Sequence, residues 1–187
     1  MSQQAIQNLV TKLRTVVAEP GAPAEIAERV AALAQPLAWD TSWVEPRLFE
    51  ADEAQGFGVT ILHEEADHGL LVETVCWLPG RGVAPHDHQT WGVVIGLDGV
   101  ERNINWRRLD DGSRAGYAEL VQREDMTVER GDTLQFMPDD IHSVRNDGGE
   151  PSLSLHIYGR SLAYVERSEF DPITRVQRPC PQRLRAR

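Results

Sequence analysis

The chain has 187 residues, of which 41% are hydrophobic and 26% charged, and its formal net charge is −10. That length suits one domain with residues to spare for a helical extension. The acidic balance argues against a nucleic-acid partner, which would want a basic face. No apolar run approaches the roughly 20 residues that a membrane span needs, so no membrane is expected either. The opening residues, MSQQAIQNLV, lack a basic stretch followed by an apolar core, so no secretory signal is expected. Cys76 lies in an apolar run and Cys180 between two prolines. Two such cysteines make no disulfide framework, and a reducing, cytoplasmic location is the expectation.

In chain order, residues 1–50 read as a helical extension. Ile6, Leu9, Val10, Leu13, Val16 and Val17 recur at the spacing of an amphipathic helix over 5–17. Pro20-Gly21-Ala22-Pro23 breaks it, and a second helix is predicted over 24–34, stopping before Pro36. From about residue 51 to 175 short β-rich runs alternate with turns. They fall at 58–62, 70–77, 91–95, 100–106, 133–136 and 153–158, separated by breaks such as Pro79-Gly80, Asp98-Gly99 and Gly148-Gly149. Short strands at this spacing predict an all-β sandwich or barrel. Residues 176–187 read as a C-terminal tail, with Arg183, Arg185 and Arg187 as a solvated end.

Of six histidines, His86 and His88 are two apart, a spacing that puts both imidazoles on one face of a strand. Gly80 precedes His86 by six residues and Gly99 follows His88 by eleven. The arrangement resembles the first cupin motif, except that Gly92 stands where that motif has a glutamate. Gly131, Pro138, His142 and Asn146 resemble the second cupin motif, with Asp139-Asp140 near the expected glycine. The resemblance implies a double-stranded β-helix, or jelly-roll, with the N-terminal helices packed outside, and one metal ion on His86, His88 and His142. Two histidines and a carboxylate mark many non-haem iron oxygenases. A third neutral imidazole in place of the carboxylate leaves a divalent ion its full charge and favours anionic ligands such as thiolate.

Ser154, His156 and Tyr158 alternate with Leu155 and Ile157, so a strand there turns three polar side chains one way. Facing inward they would form a hydrogen-bonded row; facing outward they are the polar face of an edge strand. Together with His86-Asp87-His88 and His142, this set resembles the cysteine dioxygenase family of thiol dioxygenases over roughly residues 55–175. Membership would imply Fe(II) on the three histidines and an outer relay of Ser154, His156 and Tyr158. Two departures point to the bacterial branch similar to 3-mercaptopropionate dioxygenase. The residues after His88 offer no cysteine to crosslink Tyr158, and an ungapped comparison puts Thr60 where the mammalian type has its substrate arginine. The branch implies that Arg167 holds the substrate carboxylate, with Arg160 as the nearby alternative.

The expected partners are therefore a small thiol-carboxylate and dioxygen. 3-Mercaptopropionate comes first, L-cysteine second and mercaptosuccinate third. A non-catalytic metal-binding or sensor cupin is the reading from another class. Trp91 serves either as a wall of the site or as ordinary core, and His63 either tunes the substrate or sits on the surface. The sequence leaves open the oligomeric state and the task of the N-terminal helices.

Overall fold

A computed structural model describes residues 2–181, so Arg183, Arg185 and Arg187 lie outside the described residues. Helix α1 spans Ser2–Ala18 and α2 spans Pro23–Ala34. The fixed φ of Pro23 suits the first turn of α2, and the Glu25 carboxylate reaches back to accept from the Ala22 N–H at 3.2 Å. Three short 3-10 turns, Gln35–Ala38, Thr41–Trp43 and Pro46–Phe49, lead into the strands. No helix among the described residues is long and apolar enough to cross a membrane.

Eleven strands follow among the described residues: β1 Phe57–Glu64, β2 Leu71–Trp77, β3 Gly82–His86, β4 Gly92–Asp98, β5 Glu101–Arg108, β6 Leu120–Val128, β7 Thr133–Phe136, β8 Ile141–Arg145, β9 Ser152–Tyr158, β10 Ser168–Asp171 and β11 Val176–Pro179. They form two antiparallel sheets, ordered β1-β2-β9-β4-β7 and β11-β10-β3-β8-β5-β6. From β2 to β5 and again from β6 to β10 the chain crosses to the other sheet at every step. That winding is a double-stranded β-helix, with two facing sheets rather than one closed barrel. β11 pairs with β10 and carries the second sheet past residue 175.

The first sheet is covered on both faces. β2 and β9 are buried at every position. On its outer face Val72, Cys76, Val93, Ile95, Leu153, Leu155 and Ile157 pack with Leu9, Leu13, Val30 and Ala34 of the helices. The helices thus close what would be an apolar sheet surface, as an amphipathic stripe does. On the inner face, towards the second sheet, β9 presents Ser152, Ser154, His156 and Tyr158. Opposite them in register β2 presents Trp77, Val75, Glu73 and Leu71. The long polar β6 lies at the edge of its sheet and is exposed along most of its length.

Candidate metal centre

His86 and His142 are Cα partners on β3 and β8, which sets their side chains abreast. His88 follows in the turn towards β4, where Gln89 takes a left-handed φ of 53°. The three imidazoles each offer a ligand nitrogen, and all three nitrogens lie within 4.8 Å of one another. All three residues are buried. His142 Nε2 and His88 Nε2 are 3.4 Å apart, a separation that two nitrogens about 2.1 Å from a shared ion can span. Ala84 O accepts from His86 Nδ1 at 3.0 Å, and Asn103 Oδ1 from His142 Nδ1 at 3.0 Å. Each bond assigns the proton to Nδ1 and leaves Nε2 as a lone-pair donor. Burial drives the pKa of His88 and His142 far down, and the neighbouring histidines add to it, so both stay neutral as ligation requires. The donor set fits a first-row divalent ion.

The histidines border a small, half-open cavity of about 60 Å³, room for a handful of non-hydrogen atoms. Phe57, Val59, Val75, Trp77 and Val144 make its apolar wall, and Tyr158, His156, Glu73, Arg167, Leu162 and Cys180 complete it. Val59, not Thr60, lines the cavity, because the alternation of β1 turns the two to opposite faces. Arg167 borders the cavity and makes no side-chain hydrogen bond or ion pair among the described residues, whereas the exposed Arg160 does not line it. Asp87 holds Arg167 in place from the histidine turn. Its carboxylate accepts from the Ser168 N–H at 2.9 Å, and its own N–H donates to Ser168 O at 3.1 Å. This clamp lies one residue beyond Arg167.

Ser154, His156 and Tyr158 face inward as a continuous row. Ser154 Oγ and His156 Nε2 are 2.9 Å apart, as are His156 Nδ1 and the Tyr158 hydroxyl. Burial, then His86, pushes His156 down to about 3, so the row contains a neutral imidazole. The Tyr158 ring lies 5.0 Å from that of His88, centroid to centroid. Its face rests on Gly92, where an added Cβ would sit 2.9 Å from two ring carbons.

Other singled-out residues lie elsewhere. Trp91 belongs to the core under the helices. His63 bonds Glu65 at 3.0 Å, and His68 stacks on Tyr164 with ring centroids 3.5 Å apart. Neither borders the cavity. Asn146 is a structural tie, donating to Trp77 O at 2.9 Å and Glu150 O at 2.8 Å. Neither cysteine is in a disulfide. Sequence reasoning missed Asn103, Asp87, Glu73 and Cys180 as neighbours of the site. Only Asp87, enclosed between the two histidines, carried a signal in its position.

No protein-family model matches the chain. Among solved structures it is similar to recombinant oxalate oxidase in complex with glycolate, at 18% identity and TM-score 0.46, over 59% of this chain and 54% of that one. It is similar to the Cupin_2 domain of an XRE family transcriptional regulator from Enterobacter cloacae, at 18% identity and TM-score 0.40, over 56% and 96%. A conserved protein with a double-stranded β-helix domain from Klebsiella pneumoniae gives 15% and 0.43, over 58% and 75%. The chain thus spans about half the length of the oxalate oxidase. Fold and site together define a double-stranded β-helix with a buried three-histidine group able to hold a metal ion.

Proposed function

We propose that this protein is a non-haem Fe(II) thiol dioxygenase of the cysteine dioxygenase type, acting in the reducing cytoplasm on a small thiol-carboxylate. 3-Mercaptopropionate is the first choice of substrate. The thiol and one dioxygen give the sulfinic acid, with both oxygen atoms ending on sulfur. The observation that carries the reading is the combination of three imidazoles, no carboxylate among them, with Arg167 and the Tyr158 row around one small cavity. Iron, when bound, supplies the redox chemistry that dioxygen requires.

The chain's own residues do the rest. Arg167 pairs with the substrate carboxylate through its planar fork, which fixes one end of the molecule. The apolar wall of Phe57, Val59, Val75 and Trp77 excludes water and strengthens that pairing. Tyr158, oriented by His156 and Ser154, presents its hydroxyl to the reacting end. One observation favours L-cysteine as a second reading. The buried Glu73 carboxyl lines the same cavity and suits an ammonium group that 3-mercaptopropionate lacks.

The test is anaerobic reconstitution with Fe(II), followed by oxygen uptake and sulfinate analysis with 3-mercaptopropionate, L-cysteine and mercaptosuccinate. Uptake matched by sulfinate is expected, with the highest kcat/KM for 3-mercaptopropionate. Full iron loading with no uptake on any of the three would leave a non-catalytic metal-binding cupin.

A further inference from the structure

The turn that carries two of the three histidines also grips the segment that carries Arg167. Asp87 stands between His86 and His88 and is 6% exposed. β10 pairs with β3 at one position, Glu169 with His86. Two hydrogen bonds extend that pairing by a residue. The Asp87 N–H donates to Ser168 O at 3.1 Å, and the Ser168 N–H donates to the Asp87 carboxylate at 2.9 Å. From the other side, the Cys180 N–H donates to Arg167 O at 2.9 Å, and Gln177 Nε2 donates to Ser168 Oγ at 2.9 Å. The backbone around Arg167 is therefore tied on both sides, and its side chain is left to the cavity.

A thiol-carboxylate held by sulfur at the histidines and by its carboxylate at Arg167 has to span the gap between them. His86 and His88 define one end of that gap, and the residue between them ties down the other. The gap is thus set within a single turn rather than across several loops. One methylene more or fewer changes the reach of an extended ligand by roughly 1.3 Å. A misplacement of about 1 Å can cost on the order of 100-fold. A gap fixed this closely discriminates by length.

We propose that Asp87 is a positioning residue that fixes the distance from the histidines to Arg167 and so selects the thiol-carboxylate by the length of its carbon chain. The selection rests on the pairing of Arg167 with the carboxylate under the dioxygenase reading; the tie of Asp87 to Ser168 does not. The carboxylate acts here as a placed acceptor, not as a charge. Its replacement by alanine removes that acceptor and keeps the backbone bond to Ser168.

The experiment is calorimetric titration of the iron-loaded full chain, without oxygen, with mercaptoacetate, 3-mercaptopropionate and 4-mercaptobutyrate. The wild type should bind one of the three at least about tenfold more tightly than the other two. In Asp87→Ala that preference should shrink below about threefold, with iron content unchanged. Asp87→Asn, which keeps an acceptor oxygen in place, should retain the wild-type preference. Asp87→Glu keeps the charge but moves the acceptor outward, and should lose the preference; this pair decides the question even if the alanine variant does not fold. Arg167→Ala should lose the preference too, and adding Asp87→Ala to it should cost nothing further. A wild type without length preference, an Asp87→Ala that keeps it, or a loss in Asp87→Asn but not in Asp87→Glu overturns the proposal. So does a fall in affinity by the same factor for all three ligands, which would show general loosening of the site. Binding is read without turnover, so absence of oxygen uptake in the aerobic assay would sink the dioxygenase reading and leave the selection by length standing.

Discussion

Gly92 and Tyr158 are Cα partners on β4 and β9, and the tyrosine ring occupies the space that any Cβ at residue 92 would need. The glycine at position 92 is therefore a packing requirement of this site. Gly92→Ala should destabilise the protein by about 1–3 kcal/mol through overpacking, read by denaturant titration. At the metal side, Asn103 fixes the ring of His142. Asn103→Ala should weaken metal binding about 10- to 100-fold in a chelator competition, since loss of such an orienting partner has that typical effect. Arg167→Ala should raise KM for the thiol-carboxylate at least tenfold and leave iron content unchanged. An unchanged KM would place the carboxylate elsewhere in the cavity.

At the scale of elements, β9 of the first sheet and β5 of the second each carry a buried titratable group, and these shape the pH range of the fold. His156 is depressed from 6.5 to about 3. Its contribution is complete above the unfolded value and is lost as pH falls from about 6.5 towards 3, where only the unfolded chain takes up the proton. The difference is on the order of 5 kcal/mol. Glu101, raised from 4.5 to about 7, has the opposite sign. Its contribution is present below about 4.5 and is lost as pH rises through about 7, a difference of about 3 kcal/mol. Between about 4.5 and 6.5 the two slopes cancel, so metal-free protein should hold a plateau of stability there, and His156→Gln should flatten the acid side of an unfolding free energy measured against pH.

The elements also differ in how openly the sequence declared them. The alternation at Ser154, His156 and Tyr158 announced a strand, but its direction depends on β2 and β4 flanking it and on helices covering the other side. β3 was hidden by Gly82, Pro85 and a register shift before His86, and β6 by its exposed polar residues at a sheet edge. The three histidines were legible because their motifs are local. Asn103 and Glu101 were not, since polar alternation on β5 says nothing of which side faces in until the partner sheet is known. Arg167 was singled out through the family resemblance alone, and nothing in the sequence pointed to the Asp87–Ser168 clamp beside it.

For the whole molecule, α1 and α2 act as the second wall of the first sheet. A chain beginning at residue 51 would expose Val93, Ile95, Leu153, Leu155 and Ile157 together, a contiguous apolar surface that invites association. Such a truncation should be insoluble or molten, as judged by its solubility and near-ultraviolet circular dichroism. The reason lies in β9, which has no solvent side. A slip of one residue would deliver three aliphatic side chains to the histidines and the relay to the helices. The fold consequently offers no intermediate in which the helical coat has lifted and a competent chamber survives. On heating, residual turnover and helical ellipticity should fall along one curve, and a separation of the two would show that the sheet keeps its register alone.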